Sequence, residues 1–129
     1  MKKLILILFC FPLLMAATCE DEDDTRFLDD NCTDEVVAGL NVKVKDFSTG
    51  AYLSDGVSVT AQDGDYSEVL DLIPSSEPPT FSGAWERPGT YTIIVQKSGY
   101  GTFQSNAFPV TQNPCHVNPR DFTFELTPL

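Results

Sequence analysis

From Val36 onward, apolar and polar residues alternate, and turn-forming residues break the alternation at roughly eight- to twelve-residue intervals. Leu40, Val42 and Val44 fall on one side of the chain, with Asn41, Lys43 and Lys45 on the other. Period two of this kind predicts a half-buried strand, because successive side chains of an extended chain point to opposite faces. Ser48-Thr49-Gly50 ends it, and Val57, Val59 and Ala61 resume the alternation until Asp63-Gly64, a hairpin signal. Tyr66 to Ile73 predicts a third strand, followed by the loop Pro74 to Pro79, whose three prolines supply no ladder N–H. Phe81 to Glu86 predicts a short strand and Arg87-Pro88-Gly89-Thr90 a turn in which Gly89 takes a positive φ. Tyr91, Ile93 and Val95 form the clearest alternation in the chain, ended by Ser98-Gly99-Tyr100-Gly101. Thr102 to Thr111 is extended, with Pro109 marking an edge or a bulge, and Phe122, Phe124 and Leu126 close the pattern. Helical spacing is nowhere sustained over about ten positions, so the expectation is an all-β chain: an antiparallel β-sandwich of about seven strands.

The first 35 residues follow other rules. Lys2 and Lys3 precede eleven mostly apolar residues, Leu4 to Leu14, and then Ala16-Ala17-Thr18-Cys19. That run is shorter than the roughly 20 residues needed to span a bilayer, and Pro12 interrupts it. It has the build of an export signal over residues 1–18. One reading is an ordinary secretory signal cut after Ala16 or Ala17. The sharper one is that the stretch resembles the lipobox of bacterial lipoproteins, with Cys19 taking the lipid and becoming the new N-terminus. Ala16 and Thr18 depart from that pattern, which usually has leucine and then glycine, alanine or serine there.

Charge separates this leader from the body. The chain has 8 basic and 19 acidic residues, a formal −11, and removal of residues 1–18 with their two lysines leaves −13. Glu20 to Glu35 alone holds nine acids and one base, so −8 of it lies in sixteen residues. Like charges at this density extend the chain, which predicts a disordered tether over residues 19–35 ahead of a folded domain at 36–129. Glu20-Asp21-Glu22-Asp23-Asp24 directly after Cys19 resembles the lipoprotein export signal of Bacteroidota, which implies an outer-membrane, surface-exposed address. So acidic a chain is poorly suited to nucleic acid, whose binding rests on lysine and arginine neutralising phosphates. The membrane partner it implies is reached through lipid at Cys19.

Of four cysteines, Cys10 leaves with the signal and Cys19 takes the lipid, leaving Cys32 and Cys115. An even pair in an exported protein predicts a disulfide clamping the start of the domain to its last strand. A metal site at Cys115 and His116 lacks a Cys-x-x-Cys or a second histidine, and no metal or other cofactor is expected.

Gly89-Thr90-Tyr91-Thr92-Ile93-Ile94-Val95 with Gly99-Tyr100, together with Val42 to Asp46, Thr49-Gly50 and Val57-Ser58-Val59, resembles the core of carboxypeptidase regulatory-like domains. These are prealbumin-like (transthyretin-like) β-sandwiches, and the likeness covers about Leu40 to Leu126. It implies an accessory, non-catalytic module. Cys32, Cys115 and His116 lie outside the general pattern.

Candidate chemistry is sparse. His116 is the only histidine, with Ser98, Ser105 and Thr111 as conceivable nucleophiles, and no Gly-x-Ser-x-Gly is present. Tyr52, Trp85, Tyr100, Phe103 and Phe108 could stack on a sugar or a partner protein, or pack the core. Trp85, beside Glu86-Arg87, is the strongest candidate for an exposed anchor, with Tyr100 second. The sequence therefore leads to a binding or scaffolding module facing an envelope protein or a glycan. Its rivals are a small hydrolase around His116 and a purely structural envelope component.

Overall fold

The computed structural model describes residues 32–129. The expected signal at 1–18, lipidation at Cys19 and most of the tether lie outside the described residues. Among those described there are nine strands and no helix. They are β1 (Ala38–Asp46), β2 (Ser58–Asp63), β3 (Tyr66–Val69), β4 (Asp71–Leu72), β5 (Phe81–Trp85), β6 (Gly89–Gln96), β7 (Phe103–Gln104), β8 (Phe108–Val110) and β9 (Arg120–Leu126). One sheet has the order β4-β5-β1-β9, and the other runs β3-β2-β6-β7 with β8 also on β6.

The alternation read from the sequence maps directly onto burial. Leu40, Val42 and Val44 from the first sheet are fully buried, as are Val59, Ala61, Tyr91, Ile93 and Val95 from the second. They belong to one hydrophobic cluster, so each sheet covers the apolar face of the other. Each fully buried aliphatic side chain contributes roughly 1.5–3 kcal/mol. β5 departs from alternation: Phe81 to Ala84 are buried without a break, Ser82 because its hydroxyl donates to Asn41 Oδ1 at 2.6 Å.

Four expectations need correction. First, the strand count is nine rather than seven, because two predicted strands are split. Tyr66–Ile73 breaks at Leu70, which is buried while the chain crosses from β3 in one sheet to β4 in the other. Second, Thr102–Thr111 is split into β7 and β8, which pair with opposite ends of β6 and are separated at Ser105. The Ser105 hydroxyl and N–H there take up the N–H and C=O of Ile93. Third, the sheets are not wholly antiparallel: β1 and β9 pair in parallel, Leu40 with Arg120 through Asp46 with Leu126. The chain leaves β8 beside Gly89, crosses through residues 111–119 and enters the first sheet at the beginning of β1. It must then run in β1's direction, so the two strands pair in parallel. Fourth, Gly89 has no positive φ; a Cβ there would collide with the Asp63 carboxylate, so close approach is what requires glycine. Gly99, at φ 87°, does make the tight bend expected of it.

Candidate functional site

Two places gather chemistry-bearing side chains, and the first lies where β5 ends. Ala84 and Glu86 have φ of 54° and 50°, so the chain leaves its ladder and carboxylates take over the freed N–H groups. Glu68 accepts from the Ala84 N–H at 3.1 Å and from the Tyr66 hydroxyl at 2.7 Å. Glu86 accepts from the N–H groups of Val37 at 2.9 Å and Val117 at 3.1 Å, while its own N–H donates to the Val37 carbonyl at 2.9 Å. His116 Nδ1 lies 2.6 Å from Glu86 Oε2, and its Nε2 lies 3.0 Å from Thr33 Oγ1. Partial burial pushes the Glu86 carboxyl up, but the hydrogen bonds from His116, Val37 and Val117 outweigh it and hold the group below the usual carboxylate range.

Hydroxyl, imidazole and carboxylate thus follow one another in the order of a nucleophile relay. The hydroxyl is Thr33, not Ser98, Ser105 or Thr111. Ser105 serves Ile93, and the Thr111 hydroxyl accepts from Asn118. The Cys115 and His116 N–H groups, which could polarise a carbonyl, are both taken by Asn113 Oδ1 at 2.8 Å. An unengaged oxyanion donor is therefore not provided by those two groups. What the arrangement does is tie three segments together: the entry to β1, the end of β5 and the loop before β9. Cys32 and Cys115, the chain neighbours of Thr33 and His116, are disulfide-bonded. Among the described residues, no three His, Cys, Asp or Glu side chains gather as a metal site.

Trp85 pairs with Ala38 at the start of β1 and is 45% exposed. Tyr100 belongs to the other end of that strand. Its hydroxyl donates to Asp46 Oδ2 at 2.7 Å, while Asp46 Oδ1 accepts from the Ser48 and Thr49 N–H groups. The Tyr100 bond is the main reason the Asp46 carboxyl sits below its ordinary range. Eight strand steps of about 3.3 Å separate the two ends, roughly 26 Å, so Trp85 and Tyr100 do not meet on one surface. Tyr100 pins a corner, and Trp85 sits half-exposed at the far end of the strand.

The second place lies where β7 and β8, on the edge of one sheet, face β9 on the edge of the other. Phe103, Phe108, Phe122 and Phe124 line an open groove of about 360 Å³, with Gln104, Ser105 and Asn106 at its rim. The rings form a chain: Phe103 on Phe124 with centroids 4.7 Å apart, Phe124 on Phe122 at 5.3 Å, and Phe122 on Phe108 at 4.6 Å. Arg120 closes one end, its guanidinium 5.3 Å from the ring centres of Phe108 and Phe122 and its Nη1 donating to the Pro109 carbonyl at 2.7 Å. The sequence marked Phe103 and Phe108 as possible stacking residues but assigned Phe122 and Phe124 to a closing strand only. Sixteen residues separate Phe108 from Phe124, and no local pattern shows that they meet.

Compared with known proteins, the chain matches no family model and shows no significant sequence similarity to a curated protein.

Proposed function

We propose that this chain is a surface lipoprotein, anchored by lipid at Cys19 in the outer membrane, whose β-sandwich is a non-catalytic binding module for another envelope component. The phenylalanine groove between β7, β8 and β9 carries the proposal. Phe103, Phe122 and Phe124 are held there by strands yet left partly open to solvent over the buried Phe108, which is the build of a binding surface on a rigid scaffold. The resemblance to prealbumin-like, carboxypeptidase regulatory-like domains points to the same kind of accessory role.

Capture from envelope extracts tests the groove. The full chain and its Phe103→Asp variant are compared as bait, with circular dichroism confirming that the variant is folded. Partners retained by the wild type and lost with Phe103→Asp are the expected result. Identical retention by both would place binding elsewhere.

One observation favours a second reading, a small hydrolase: the succession Thr33, His116, Glu86. It requires Thr33 as the nucleophile, and its mark is ester turnover abolished by Thr33→Ala at unchanged melting temperature. The three backbone ties of Glu86 and the occupied N–H groups of Cys115 and His116 favour the structural role instead.

A further inference from the structure

The groove has a polar wall as well as an aromatic floor, and together they specify what fits. β9 is the last strand of its sheet, pairing with β1 alone among the described strands. Along Asp121 to Glu125 its opposite flank has no described strand paired with it, while just beyond, Thr127 and Leu129 bond Gly101 and Gly99. Side chains of β9 alternate: Phe122 and Phe124 face the groove, while Asp121, Thr123 and Glu125 are exposed on the opposite face.

β9 already accepts one strand, and that strand shows the matching chemistry. β1 places Val42 and Val44 beside Phe122 and Phe124 on the inner side. On the outer side, Asn41, Lys43 and Lys45 stand beside Asp121, Thr123 and Glu125. Lysines thus run along the acidic face while valines fill the apolar layer. Opposite charges on neighbouring strands attract and like charges repel, so the same acids select on the free flank.

Resting on the binding role above, we propose that the occupant is an extended polypeptide segment of a partner protein, alternating apolar and basic residues, which adds to β9 as a further strand. Its apolar side chains enter the groove over Phe122 and Phe124, and its basic side chains meet Asp121 and Glu125. A second copy of this chain fits less well. Full-length antiparallel pairing of β9 with itself, centred on Thr123, sets Asp121 against Glu125 twice.

Three capped seven-residue peptides test this on the full chain in mild detergent. One alternates lysine and valine, one alternates glutamate and valine, and one holds the lysines and valines in two blocks. The lysine–valine alternation is expected to bind roughly three- to tenfold more tightly than either other peptide, more weakly at high salt, with the amides of Asp121 to Glu125 shifting and gaining exchange protection. In the D121K/E125K double variant, both substitutions being on the exposed face, the preference should invert toward glutamate–valine. Equal affinity for all three peptides, binding by none, or no inversion overturns the proposal. So does saturation of the groove by an oligosaccharide, or concentration-dependent dimerisation abolished by Phe103→Asp. If the peptides fail while extract capture still depends on Phe103, the partner class is wrong and the binding role stands. If capture is also independent of Phe103, both fall.

Discussion

The two sides on which the sheets meet are built from the same material and finished differently. On one side the chain passes directly from β3 to β4, Leu70 is buried at the crossing, and Glu68 takes up the Ala84 N–H that the irregular end of β5 releases. On the other side the chain takes a longer way round, and the edges of β7, β8 and β9 face each other across phenylalanine rings with a groove between them. A short covalent crossing closes its own seam with aliphatic packing and internal hydrogen bonds. On the other side the crossing is longer, and the backbone bonds from Gly101 to Thr127 and from Leu129 to Gly99 lie beyond the groove, which remains accessible. That difference, rather than any single residue, makes the second side the candidate for binding.

Substitution at Leu70 gives the largest expected effect. Leu70→Ala leaves a hole where the chain crosses and should lower unfolding free energy by about 2–5 kcal/mol in chemical denaturation. Phe122→Ala, on the open side, removes a ring that is only partly buried and should cost less, about 1–2 kcal/mol, much of it from lost ring contacts. Equal losses at the two positions would erase the distinction between closed and open seams. Next comes Glu68→Ala, which leaves the Ala84 N–H without its acceptor and should cost roughly 1 kcal/mol, again with no counterpart on the open side.

Acid should act on the carboxylate ties at the two ends of β1 and spare the phenylalanine groove, because aromatic contacts do not titrate. Asp46 and Glu86 have folded-state values below their ordinary ones, the first mainly through Tyr100, the second through His116 and two backbone N–H groups against partial burial. Such groups add stability that is fully present above the unfolded-state value and is lost as pH falls through the folded-state value. The melting temperature should therefore fall on acidification below the ordinary carboxylate range, and it should fall less in Glu86→Gln. Identical pH profiles for the two proteins would remove Glu86 from the stabilising ties. The smallest change is expected at Trp85, where Trp85→Ala should shift unfolding free energy by no more than about 0.5 kcal/mol, since nearly half of the side chain is already in solvent.

The strands with strict alternation are legible in the residues alone. β1, β2, β6 and β9 follow apolar positions that one sheet face demands, and Gly64 and Gly99 mark turns with the positive φ they suit. The break at Leu70 is not legible, because a residue buried between two sheets and a residue buried on one strand look alike in sequence. Glu86 stands out there only as the neighbour of Trp85. Its role depends on Val37 and His116, about fifty and thirty residues away, and no spacing rule connects them. Thr33 escapes notice for the same reason.

The alternating pattern by itself determined an all-β fold with the valines and isoleucines of β1, β2 and β6 inside, because a period of two admits only one apolar face per strand. Concentration of the negative charge ahead of the domain was likewise a property of the chain alone. Only the tertiary structure decided that β9 runs parallel to β1 and ends its sheet, and that four phenylalanines meet there. Trp85 and Tyr100 are kept apart by the length of a strand. Those outcomes depend on which edges come together in space, a long-range choice made by the crossover at residues 111–119 and the shared core, not by any local run of residues.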